Sequence, residues 1–112
     1  MNTCIIEVGD KEYTLCLTRE AVKEIEKLGF NIQAFMNKPV TYMDILWYGG
    51  FIPKHKTVSQ NLSLKIMDKY KEEGGDVNEV IEFLASEYSN FVNAPTDTKA
   101  KKKAKIVKAE TE

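Results

Sequence analysis

The sequence predicts an α+β fold: an N-terminal β-hairpin, then a compact bundle of about four helices, then a disordered basic C-terminal tail. Three observations carry that expectation. Two β-type runs flank a Gly-Asp turn signal near the start, and helical apolar spacing broken by caps and glycines then continues to Val92. Beyond Ala94-Pro95 the aromatic residues stop and six lysines crowd into eighteen residues. A chain of 112 residues that is 43% hydrophobic and 29% charged has room for one domain and is too evenly mixed to be disordered throughout. The expected organisation is a single folded unit over residues 1–94 and a flexible Lys-rich tail over residues 95–112.

The hairpin comes first. Cys4-Ile5-Ile6-Glu7-Val8 and Lys11-Glu12-Tyr13-Thr14-Leu15-Cys16-Leu17 surround Gly9-Asp10. A two-residue loop at Gly9-Asp10 or Asp10-Lys11 places Cys4, Ile6 and Val8 on one face with Tyr13, Leu15 and Leu17, and turns Glu7, Glu12 and Thr14 outward. An odd-length loop would oppose Val8 to Glu12, so the two-residue loop is preferred.

Thr18 then reads as an N-cap, followed by a helix with Val22, Ile25 and Leu28 on its apolar stripe and Gly29 at its C-terminal end. The segment Phe30 to Met36 has room for one or two helical turns. Pro39 reads as a break and Thr41 as the next cap. From Tyr42 to Ile52 the chain is apolar around nearly the whole helical wheel, which calls for burial on several sides. Val58, Leu62, Ile66, Met67 and Tyr70 form the stripe of the next helix, capped by Thr57 or Ser59 and ended by Gly74-Gly75. Asp76 caps the last helix, in which Val77, Val80, Ile81, Leu84, Tyr88, Phe91 and Val92 keep a 3.6-residue period.

Charge narrows the function classes. Seventeen acidic residues against sixteen Lys and Arg give a net charge of -1, so no global field draws in nucleic acid or an anionic membrane. That total conceals an asymmetry: residues 1–94 hold ten basic and fourteen acidic groups, the rest six basic and three acidic. No run of eighteen apolar residues occurs and the N-terminus lacks a secretion-signal pattern, so a cytoplasmic protein without a membrane span is expected. Read by itself, the lysine tail serves as a solubility tail, an arm toward an acidic surface, or an arm on nucleic acid. The last is disfavoured because no arginine or aromatic is there to read or stack a base.

Catalytic and metal chemistry find little to build on. Zinc needs four suitably spaced ligands, and Cys4, Cys16 and the single His55 show no such spacing, so no metal and no cofactor is expected. A disulfide is disfavoured because the chosen register puts the two cysteines on opposite hairpin faces. His55, between lysines after Pro53, reads as an exposed loop residue. Gly49-Gly50 and Gly74-Gly75 lack the residues that complete a phosphate or dinucleotide loop. No residue can be nominated for turnover, and the expectation is a protein that is not an enzyme and takes no small-molecule substrate. Large aromatics are more informative. Tyr42, Trp47, Tyr48, Phe51, Phe30 and Phe35 crowd a small body and are the candidate partner-binding residues. Trp47 and Phe51 are read first as core residues, with Tyr42 and Tyr48 nearer the surface.

In the order of its elements the chain resembles the tail assembly chaperones of long-tailed bacteriophages of Gram-positive hosts. The likeness covers about residues 5–92 and rests on four parts. These are the hairpin Ile5–Leu17, the helix start Leu17-Thr18-Arg19-Glu20-Ala21-Val22-Lys23-Glu24-Ile25-Glu26, the apolar Asp44-Ile45-Leu46-Trp47-Tyr48, and the closing Glu87-Tyr88-Ser89-Asn90-Phe91. The resemblance implies binding of the tape measure protein, which is kept soluble until tail tube protein polymerises around it. It also implies a place in the host cytoplasm and absence from the mature virion. Such families often make a longer product by ribosomal frameshifting, and Lys101-Lys102-Lys103 must be encoded by an adenine-rich run on which ribosomes slip. The alternative is a small nucleic-acid-associated regulatory protein acting through the basic tail.

Overall fold

The computed structural model describes residues 2–92, so the expected tail over residues 95–112 and the domain end at residue 94 lie outside the described residues. Strand β1 (Cys4–Val8) pairs antiparallel with β2 (Lys11–Leu15), and five helices follow: α1 (Arg19–Lys27), α2 (Ile32–Asn37), α3 (Pro39–Phe51), α4 (Gln60–Glu72) and α5 (Val77–Val92). This is the α+β hairpin-plus-bundle architecture read from the sequence.

The register pairs Cys4 with Leu15, Ile6 with Tyr13 and Val8 with Lys11, leaving Gly9-Asp10 as a two-residue loop. Ile6, Val8 and Leu15 are buried and Glu7 and Glu12 exposed, as period-two alternation over a covered face requires. The outer edge of β2 is not left open. Cys16 N–H donates to the Gly50 carbonyl at 3.1 Å and Thr14 N–H to His55 Nε2 at 3.0 Å. His55 is thus half-buried rather than an exposed loop residue, and its ring lies edge-on to Tyr13 at 5.2 Å between centroids. An edge strand's orphan donors need acceptors, and the last turn of α3 and the loop after it supply them.

Caps define the helices. Thr18 Oγ1 accepts from Ala21 N–H, Asn31 Oδ1 from Ala34 N–H, Ser59 Oγ from Leu62 N–H and Asp76 Oδ1 from Glu79 N–H. Helix α1 ends in a Schellman motif: Gly29, at φ +98°, donates to the Glu26 carbonyl while Phe30 N–H reaches back to Ile25. Two expectations are corrected. Pro39 opens α3 instead of breaking the chain, because its fixed φ and missing N–H cost nothing at a first helical position. Thr41 lies inside that helix and caps nothing; the N-cap residue is Lys38, without a side-chain bond. The apolar stripes also run past the core, leaving Leu28 and Leu62 exposed.

Helix α3 is the axis of the body, packed by α1, α2, α4, α5 and β2. Its Leu46, Trp47 and Phe51 are fully buried. Close packing of two neighbours depends on the glycine pair that sequence reading set aside. A Cβ on Gly49 would lie 2.7 Å from Ile25 Cγ2 of α1, and one on Gly50 would lie 3.1 Å from both Leu84 methyl groups of α5. The indole N–H of Trp47 donates to the Ser63 carbonyl at 2.7 Å, tying α3 to α4. Tyr88 O–H donates to Glu26 Oε2 at 3.1 Å, tying α5 to α1.

Candidate partner-binding end

The six aromatic candidates divide into two environments. Trp47, Phe51 and Phe30 are sealed in the core, Trp47 and Phe51 with no exposed surface, so these three present nothing to a partner in this conformation. Their volume is what fills the space around α3. Tyr42, Tyr48 and Phe35 are half-buried. Of these, Phe35 and Tyr42 pack on Phe30, with ring centroids 5.9 and 6.4 Å away, and Tyr88 closes the far side at 4.8 Å. Tyr48 stands apart from this group on α3.

Phe30 is therefore the root of an apolar end built by the C-terminus of α1, by α2 and by the first turn of α3. The sequence accounts for its shape. Gly29 turns the chain out of α1, Asn31 immediately restarts it, and Lys38 at φ -136° separates two helices only one residue apart. With six residues, α2 cannot wrap around the body, and none of its residues is buried. Ile32 and Phe35 face the core cluster. Met36 faces water at 72% exposure, Val40 on α3 is equally exposed, and Leu28 is 44% exposed. Tyr42 lies beside Gly29 at the same end. Sequence reading missed Met36 and Val40. Their signal was their position astride Pro39, where a short helix and a first helical turn each have one face with nothing to pack on.

Elsewhere the body has shallow clefts. One of about 350 Å³ lies between Leu17, Thr18, Asn90 and Phe91 and contains the buried carboxylate of Glu87. Asn2 Nδ2 donates to that carboxylate at 3.1 Å, which gives this buried residue a hydrogen-bond partner. Cys4 and Cys16 are both free thiols, and burial pushes each above the ordinary thiol pKa, which favours inert packing over nucleophilic reactivity. No group of three or more His, Cys, Asp or Glu placed to hold a metal ion occurs among the described residues. No described helix is long and apolar enough to cross a membrane.

A profile described as a domain of unknown function, DUF5055, matches residues 2–111, which is nearly the whole sequence. The chain belongs to the DUF5055 family. No curated protein and no solved structure matches it. The family match takes in the lysine-rich segment together with the hairpin and helices.

Proposed function

We propose that this DUF5055 chain is a non-enzymatic tail assembly chaperone that covers apolar helix stripes of a phage tape measure protein until tube subunits replace it. The observation that carries the reading is the apolar end around Phe30, where Leu28, Met36 and Val40 are exposed on the turns next to half-buried Phe35 and Tyr42. The resemblance of the hairpin and helix order to phage chaperones supports it independently. On this reading the protein acts in the host cytoplasm, uses no cofactor and is absent from the mature virion.

Magnitudes suit a transient role. Covering one fully exposed Met, Val or Leu side chain contributes about 1.5–3 kcal/mol, so three partly exposed ones supply roughly 3–6 kcal/mol. Association itself costs about 4 kcal/mol or more in lost freedom. One copy therefore holds one stripe weakly, and occupancy comes from abundance along a long client. A tube protein polymerising over the same stripe displaces such a cover without a dedicated release step.

The test is co-expression with the tape measure protein of the same genome, which should become soluble and co-purify with the chain. Met36→Asp with Val40→Asp should abolish that effect while leaving the circular dichroism spectrum unchanged. A client that stays insoluble beside the wild-type chain, or full activity in the double variant, removes the proposal. Reading the gene checks the frameshift: a slippery A-rich heptamer at Lys101-Lys102-Lys103 and an overlapping downstream frame are expected.

A further inference from the structure

Away from the apolar end, a second surface has a different chemistry. A groove of about 310 Å³ runs between the hairpin tip and α4. Its apolar lining includes half-buried Tyr13 from β2 and Leu62 from α4, which is 43% exposed, over Ile66, which is buried at the base with 6% exposure. Lys65 and Lys69 stand beside them on α4, and Lys11 faces them from β2. Residues 62, 65, 66 and 69 follow helical spacing, so two apolar and two cationic side chains share one face of α4 over about two turns.

The charge there runs against that of the body. Residues 1–94 hold more acidic than basic groups, yet three lysines meet at this groove against one lining carboxylate, that of Asp10. Glu73 lies nearby, 3.9 Å from Lys69, but its carboxylate also accepts the Gly9 N–H at 2.9 and 3.1 Å. Among the described residues neither Lys11 nor Lys65 has a carboxylate within 4.0 Å. Like charges around an apolar floor are unfavourable in isolation and become favourable once an anion is brought among them. Glu73 ties the hairpin tip to the end of α4, which holds the two walls of the groove together.

We infer that this groove docks an acidic amphipathic peptide segment of a partner protein, its apolar side chains on Tyr13, Leu62 and Ile66 and its carboxylates on Lys11, Lys65 and Lys69. This stands apart from the chaperone reading, since the groove shares no residue with the apolar end. It also makes a prediction opposite to that of overall charge: a body with an acidic excess attracts basic peptides, whereas this groove selects acidic ones.

The experiment titrates the full chain, labelled with nitrogen-15, with three synthetic peptides. One repeats Glu and Leu with leucines at helical spacing, the second replaces every Glu by Lys, and the third scrambles the first so that no apolar stripe remains. Saturable binding of the first alone is expected, with amide shifts concentrated at residues 8–13 and 62–69 and affinity that falls with added salt. Lys65→Glu together with Lys11→Glu should weaken it at least tenfold. Met36→Asp with Val40→Asp should leave it unchanged, so failure of the chaperone reading and failure of this one are told apart. Equal or tighter binding of the lysine peptide, equal binding of the scrambled one, shifts confined to other residues, or no saturable binding would each overturn the inference.

Discussion

Two buried or half-buried ionisable groups make the pH dependence of this fold calculable in sign. Burial raises the Asp44 carboxyl above its usual pKa, with Lys71 opposing and Asp68 reinforcing the shift. A carboxyl that holds its proton more tightly when folded costs stability as pH rises through its titration, and that cost persists above it. Asp44→Asn should therefore raise the melting temperature at pH 7 and lose its advantage near pH 3. Tyr88 gives the corresponding effect in alkali. Burial, with the hydrogen bond to Glu26 adding to it, pushes its phenol from 10 up to about 12. The folded form keeps the proton where the unfolded chain loses it, so Tyr88 alone should lower stability between pH 10 and 12 by about 2–3 kcal/mol at most, in the same direction as buried Cys16 and half-buried Cys4 and Tyr70. Tyr88→Phe removes this slope. The difference between the two proteins, read from urea unfolding at pH 8, 10 and 12, should shift steadily in favour of the variant.

At the scale of elements, local chemistry was legible and long-range contacts were not. Thr18 and Asp76 were readable as caps, Ser59 as one of two choices with Thr57, and Gly29 as a helix end, because each acts on backbone three residues away. The two-residue hairpin loop followed from alternation alone. Thr41 was misread because a Thr before an apolar run looks like a cap wherever the helix begins, whereas Pro39 had already set that start. His55 was misread because its partner, Thr14, lies 41 residues away. Replacing His55 by Ala orphans a half-buried strand N–H and should cost about 1–3 kcal/mol, lowering the urea midpoint with the slope unchanged. Gly49 is the stronger case. Alanine there gains about 1 kcal/mol of helix propensity but drives a methyl to within 2.7 Å of Ile25, and overpacking of this sort costs about 1–3 kcal/mol. Gly49→Ala should therefore be destabilising despite its better propensity. Gly50→Ala, at 3.1 Å from flexible leucine methyl groups, should be the milder of the two in the same melting experiment.

For the whole molecule, half of the candidate site was visible in advance. The aromatic count pointed to excess apolar volume, but the sequence could not say which rings the single long apolar helix would draw inward. It drew in Trp47 and Phe51 and left the shorter aliphatic residues of α2 and of the first turn of α3 outside. One prediction separates the two function classes on this scale. Among the described residues the core cluster runs from Ile6 to Tyr88 and is built by the hairpin and the helices themselves. Ending the chain after residue 94 removes six lysines and three carboxylates, which changes the net charge from -1 to -4. The shortened chain should keep the melting temperature of the full one and still solubilise a tape measure protein, because the surface around Phe30 is intact. A nucleic-acid regulator would behave in the opposite way, losing salt-sensitive DNA or RNA binding on truncation and showing no dependence on Met36 or Val40. Assaying client solubility and nucleic-acid retention side by side for the full chain, the truncation and the Met36→Asp, Val40→Asp variant decides between them, since each class predicts loss in a different variant.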